Sequence, residues 1–154
     1  MKEMKDYWGG MLREGATTFW EKYNPTDKGT QHLGMYGRPY GKSLCHAWGA
    51  SPIYLLGKYY LGIQPVKAGY SEYAITPNLG GLTWMEGTVP TPKGNIHLFM
   101  DTKTIKVKAS EGKGYLTIVS ATKPKANNGT FEKLKDNRYR LLINTQEEVT
   151  VTYR

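Results

Sequence analysis

The hydrophobic period changes once along this chain, near residue 62, and that change separates what can fold as helix from what must fold as sheet. Before it, Met4, Tyr7, Trp8, Met11 and Leu12 fall at offsets of three, four, seven and eight, which marks one face of a helix over residues 3–14 ending at Gly15. Gly9 and Gly10 inside it cost about 1 kcal/mol each against alanine, so a close neighbour or a bend is expected there. Residues 24–42 carry Pro25, Gly29, Gly34, Gly37, Pro39 and Gly41 and read as one long loop, of the kind that is usually functional or disordered. A second helix is expected over residues 43–60, with Ser43 as N-cap, Gly62 past its end and a kink at Pro52. Its apolar residues (Leu44, Trp48, Ile53, Tyr54, Leu55, Leu56, Tyr59, Tyr60) lie nearly all round, as in a helix inside a larger helical assembly.

After Gly62 the period is two. Short strands are expected at 70–76, 81–89, 95–101, 104–110, 114–121, 129–134, 138–144 and 147–153, with turn-rich segments between them. Residues 90–94, 111–114 and 135–137 read as hairpin connections. Alternation is clearest in Ile105, Val107 and Ala109, and in Val149, Val151 and Tyr153. Seven to nine such strands predict a mainly β fold, an antiparallel β-sandwich preceded by two helices. The domain boundary follows, with a helical part at 1–62 and a sandwich at 63–154.

Composition excludes several classes. No run of about 18 apolar residues exists to form a membrane-spanning helix. The N-terminal residues Met1 to Asp6 include acids and no apolar segment, so they do not read as a secretory signal, and the compartment stays open. One cysteine excludes an internal disulfide and a Cys-based zinc site, and Cys45 reads as a small buried residue. The net charge of +8 comes from lysines spread along strands between acids and apolar residues, which suits a solvated sheet face and gives no nucleic-acid motif. His32 and His97 are uninformative. No His, Asp and Glu set has metal-ligand spacing, and no cofactor is expected.

The residues that carry chemistry come early. Gly15-Ala16-Thr17-Thr18-Phe19-Trp20-Glu21 sets a carboxylate beside an indole, and Ser43-Leu44-Cys45-His46-Ala47-Trp48 adds an imidazole beside a second indole. A carboxylate holds a water or hydroxyl, an imidazole donates or accepts, and an indole face stacks on a sugar ring. No second acidic residue stands beside them as a general acid. From spacing alone, Glu21 reads as an ordinary surface carboxylate, and Trp20 and Trp48 fit core and pocket equally well. Trp84 and Glu86 read as structural.

These runs, in order with Gly81-Leu82-Thr83-Trp84-Met85-Glu86-Gly87-Thr88-Val89-Pro90-Thr91-Pro92-Lys93-Gly94-Asn95-Ile96, closely resemble the C-terminal end of bacterial α-L-rhamnosidases of glycoside hydrolase family seventy-eight. The resemblance covers roughly residues 1–121. It implies the last helices of an (α/α)6 barrel followed by a C-terminal β-sandwich, and inverting hydrolysis of terminal α-L-rhamnosides. By the same resemblance, Glu21 is the general base, His46 contacts rhamnose and Trp20 walls the pocket; Trp48, which the resemblance does not assign, is a further substrate-binding candidate from its place beside His46. The family's general acid lies upstream, so this chain would be inactive alone, and rhamnose-containing glycans would be partners of the parent enzyme. The alternative from another class is a non-catalytic β-sandwich module that binds carbohydrate or braces a neighbour. Helices stripped of their barrel are expected to fold back on the sandwich or, preferentially, to pair in a homodimer. The loop at 24–42 is expected to be the most mobile region.

Overall fold

A computed structural model describes residues 1–144 and 146–153, so the expected sandwich limit at Arg154 lies outside the described residues. The chain divides into two compact units, Met1–Tyr54 and Leu55–Arg154.

In the first unit, α1 spans Lys2–Arg13 and ends as its sequence implies. The Gly15 N–H bonds the Leu12 carbonyl at 3.0 Å and the Ala16 N–H reaches back to Met11 at 3.0 Å, the two bonds of a Schellman cap, with Gly15 at φ +85°. Its apolar face meets Trp20 and Tyr23 in a small aromatic core around Met11, although Leu12 stays exposed. Gly10 is required there, because a Cβ would lie 2.3 Å from the Tyr23 ring. The 24–42 segment is not featureless. Gly29–Leu33 forms a 3₁₀ turn, and Met35 bridges Arg38.

The expected helix at 43–60 is broken, and its hydrogen bonds show why. The Ser43 carbonyl, which would accept the first helical bond, is taken by the Glu21 N–H, the Leu44 carbonyl accepts from the Thr18 hydroxyl, and His46 is extended, so no helix begins at residues 43–46. Ser43 is therefore no N-cap, and Cys45 is exposed where burial was expected. A 3₁₀ turn follows at Ala47–Ala50, then α2 at Ser51–Leu55 and a π turn at Leu56–Tyr60 closed by Leu61 N–H to Leu56 O at 2.9 Å. Pro52 sits in the first turn of α2, where its missing donor removes no internal bond and no kink is needed. Ile53 and Tyr54 of the first unit, and Leu56 and Tyr59 of the second, stand exposed. Tyr60 and Leu61 do fold onto the sandwich core.

The second unit is a two-sheet sandwich, as predicted. Among the described residues it has ten strands where about eight were expected: β1 Ile63–Pro65, β2 Glu72–Ile75, β3 Trp84–Thr91, β4 Gly94–Asp101, β5 Thr104–Lys108, β6 Lys113–Val119, β7 Lys125–Ala126, β8 Glu132–Lys133, β9 Arg138–Ile143 and β10 Val149–Thr152. The unforeseen β1 and β7 have only 3 and 2 residues, too few to show a period. One sheet runs β1-β2-β6-β9-β8 and the other β3-β4-β5-β10-β7. Among the described residues the pairings are antiparallel except β2 with β6, which is parallel. That pairing arises because residues 109–112 cross from one sheet to the other, so 111–114 is not the expected hairpin.

The other two turns behave as read. Pro92 and Lys93 join β3 to β4, and Asp136 and Asn137, both at left-handed φ, join β8 to β9. Alternating residues of both sheets, including Ile75, Ile96, Leu98, Ile105, Val107, Leu116, Leu141 and Val151, form one dry core.

Gly62 joins the helical turn to β1 at φ +68°, and a Cβ there would lie 2.0 Å from the Thr76 carbonyl oxygen. Gly62→Ala should lower stability by more than about 2 kcal/mol, since left-handed φ alone costs an L-residue roughly 1–2 kcal/mol. Gly57→Ala, whose nearest neighbour is Val89 at 3.5 Å, should be near neutral in the same urea titration. Equal midpoints for the two variants would contradict this account.

Candidate functional site

Two extended segments of the first unit lie side by side and assemble the site. The Glu21 N–H bonds the Ser43 carbonyl at 2.9 Å, the His46 N–H bonds the Phe19 carbonyl at 2.8 Å, and the Thr18 hydroxyl donates to the Leu44 carbonyl. His46 keeps extended dihedrals (φ −123°, ψ 122°) just before the 3₁₀ turn. This pairing brings Glu21 close to His46, far from it in the sequence.

The Glu21 side chain retains only 6% of its accessible surface. Its Oε1 accepts a hydrogen bond from the Tyr36 hydroxyl at 2.7 Å, and its Oε2 accepts one from the Ser43 N–H at 3.3 Å. His46 Nδ1 stands 3.8 Å from Oε2, beyond a direct hydrogen bond. Trp48 tilts against His46 with ring centroids 4.1 Å apart, and its indole N–H donates to the Glu21 carbonyl at 3.3 Å. Trp48 itself is 68% exposed. The structure therefore brings Glu21, His46 and Trp48 into one cluster.

Trp20 is placed differently. It is buried in the aromatic core with Met11 and Tyr23, and Lys42 Nζ lies 5.8 Å from its ring centroid. Tyr36 was not anticipated from the sequence. It occupies the tip of a two-residue turn, Met35–Arg38, with Tyr36 at φ +55° and Gly37 at +70°, and a Tyr at such a position leaves no sequence signal beyond the following glycine. His32 is buried face-on against Tyr23, with Nε2 3.6 Å from Glu14.

The electrostatics favour an ionised Glu21. The Tyr36 hydrogen bond does most to hold its carboxyl below the usual range. Burial opposes this, and the Ser43 N–H, His46 and Lys42 add to the lowering. The same bond raises the Tyr36 phenol, and burial lowers Lys42. Such a cluster can orient a water or sugar hydroxyl between carboxylate and imidazole beside an open indole face. Among the described residues no group of three or more His, Cys, Asp or Glu is arranged to hold a metal ion.

The second unit has its own polar hollow of about 210 Å³ on the outer face of the β3-β4-β5 sheet, lined by Glu86, His97, Phe99, Lys106, Lys108 and Glu148. Glu86 pairs with His97 there at 3.1 Å.

A family model described as the bacterial alpha-L-rhamnosidase C-terminal domain matches residues 62–108, which span β1 to β5. An alpha-L-rhamnosidase of Alteromonas sp. (strain LOR) is 33% identical over 99 residues, covering 62% of this chain and 10% of that protein. Residues 62–108 are thus similar to the C-terminal domain of bacterial α-L-rhamnosidases. Two solved α-L-rhamnosidases share the fold over 96% of this chain. One, from Streptomyces avermitilis and complexed with L-rhamnose, has TM-score 0.71 and 20% identity. The other, from Dictyoglumus thermophilum, has TM-score 0.67 and 15% identity. This chain spans 15% and 17% of their lengths and about a tenth of the Alteromonas α-L-rhamnosidase.

A carboxyl whose folded pKa lies below its unfolded value stabilises the fold above the unfolded pKa, and that contribution is lost as pH falls through the folded pKa. The stability difference between wild type and Glu21→Gln should therefore be constant above about pH 6 and shrink below roughly pH 4.5, the ordinary glutamate range. Urea unfolding at a series of pH values checks this, and a difference that stays flat down to pH 3 would contradict it.

Proposed function

We propose that this chain is the C-terminal portion of an inverting α-L-rhamnosidase of glycoside hydrolase family seventy-eight. Residues 1–62 supply the last helices and loop of its (α/α)6 barrel, and 63–154 its sandwich domain. What carries the reading is the Glu21 cluster: a carboxylate favoured as the anion, with an imidazole 3.8 Å away and an exposed indole beside it. The similarity of residues 62–108 to the C-terminal domain of bacterial α-L-rhamnosidases supports it.

Inverting hydrolysis needs two carboxyl groups about 6.5–9.5 Å apart, one protonating the leaving oxygen and the other activating water on the opposite ring face. Glu21 takes the second role. Its carboxylate accepts a proton from water as the water oxygen bonds to the anomeric carbon, and the glycosidic bond breaks on the far side. His46 holds a sugar hydroxyl, and Trp48 offers its ring to the apolar face of the rhamnose. Trp20, packed with Met11 and Tyr23, anchors the backbone that carries Glu21. The proton for the leaving group comes from an acid in the upstream part of the enzyme, and rhamnose-containing glycosides are its substrates.

The isolated 154-residue chain should then hydrolyse an aryl α-L-rhamnoside no faster than buffer does, because one acid–base group typically contributes 10²–10⁴-fold and substrate positioning is lost with the rest of the barrel. Turnover by the pure chain that is abolished by Glu21→Gln would show that an acid lies within these residues and overturn the division of roles.

A further inference from the structure

We propose that Tyr36 is the positioning residue of the Glu21 carboxylate, occupying Oε1 so that Oε2 is the oxygen left to work. This rests on the reading of Glu21 as a base, but the contact it describes is testable without any turnover.

The turn that carries Tyr36 is closed from both sides, Met35 N–H to Arg38 O at 3.1 Å and Arg38 N–H to Met35 O at 3.0 Å. Both central residues have left-handed φ, a combination that favours Asn-Gly and is uncommon for an aromatic residue. Burial does not explain a tyrosine here, since Tyr36 is 72% exposed. Its hydroxyl is what is used, donating to Oε1 at 2.7 Å. The contacts of Oε2 are longer, 3.3 Å from the Ser43 N–H and 3.8 Å from His46 Nδ1. The two oxygens of one carboxylate are thus unequal. Oε1 carries a short bond from a rigid turn, whereas Oε2 faces His46 with lone-pair capacity to spare. A donor fixed on one oxygen also stops the carboxylate from rotating, which keeps Oε2 in a constant direction for a water beside the imidazole.

The coupling is reciprocal, and both partners can be read in the full 154-residue chain. Carboxyl-carbon NMR titration of Glu21 should give a higher midpoint in Tyr36→Phe than in wild type. Titration of the Tyr36 ring carbon bearing the hydroxyl should give a lower midpoint in Glu21→Gln. A role for Tyr36 confined to stability would change the urea midpoint and leave Glu21 titrating as before. If the Glu21 curve is unchanged in Tyr36→Phe, and the Tyr36 curve unchanged in Glu21→Gln, the proposal is overturned. If both curves move while the chain shows no contact with rhamnose, the positioning stands and only the rhamnosidase reading of the site falls.

Discussion

The candidate site depends on one backbone pairing, residues 18–21 beside residues 43–46. Closing a loop of roughly 20 residues costs on the order of 3 kcal/mol in chain entropy. The few hydrogen bonds of the pairing contribute about 0.5–1.5 kcal/mol each and would barely offset that. The balance is tipped by Trp20 and Tyr23, buried against Met11 and α1, at about 1.5–3 kcal/mol per large apolar side chain. Trp20 and Glu21 are neighbours in the chain, so burying the first places the second. The aromatic core is therefore part of what positions the site.

The surroundings of Glu21 set a chemical compromise. Tyr36, Ser43, His46 and Lys42 all favour the anion, and a carboxylate stabilised in this way is a weaker base. Burial acts the other way, and covering the cluster with further protein or with a sugar would strengthen it by removing water. An open cluster and an enclosed one would then differ in basicity with the same residues in place. The polar hollow of the sandwich around Glu86 and His97 belongs to the other compact unit.

Much of the fold was legible because periodicity was. The face of α1, its stop at Gly15, the two-sheet class and the alternation of Ile105, Val107, Val149 and Val151 follow from spacing alone. What was not legible had non-local causes. The 43–60 segment reads as an apolar helix, but the carbonyls of Ser43 and Leu44 are taken by residues more than 20 positions away, which no local pattern records. The parallel pairing of β2 with β6 follows from a crossover between sheets whose Gly-rich link looks like a hairpin. At the site, Glu21, His46 and Trp48 were named from sequence, and the structure puts them together. Trp20 could be core or pocket by sequence and lies in the core. Tyr36 escaped notice because its role is fixed by a turn conformation that tyrosine rarely adopts.

The central claim is that a sugar is held at the Glu21, His46 and Trp48 cluster rather than on the sandwich. Of the four tryptophans, Trp48 is 68% exposed at the cluster and Trp84 is 59% exposed on β3. Titrating the nitrogen-15-labelled chain with L-rhamnose up to about 50 mM, a range set by millimolar affinities for a partial site, should shift the Trp48 indole N–H signal and the His46 ring. The Trp84 indole should stay still, and Glu21→Gln should weaken the response. Shifts confined to Trp84 and its strand neighbours, with Trp48 silent, would contradict the account and favour a carbohydrate-binding sandwich.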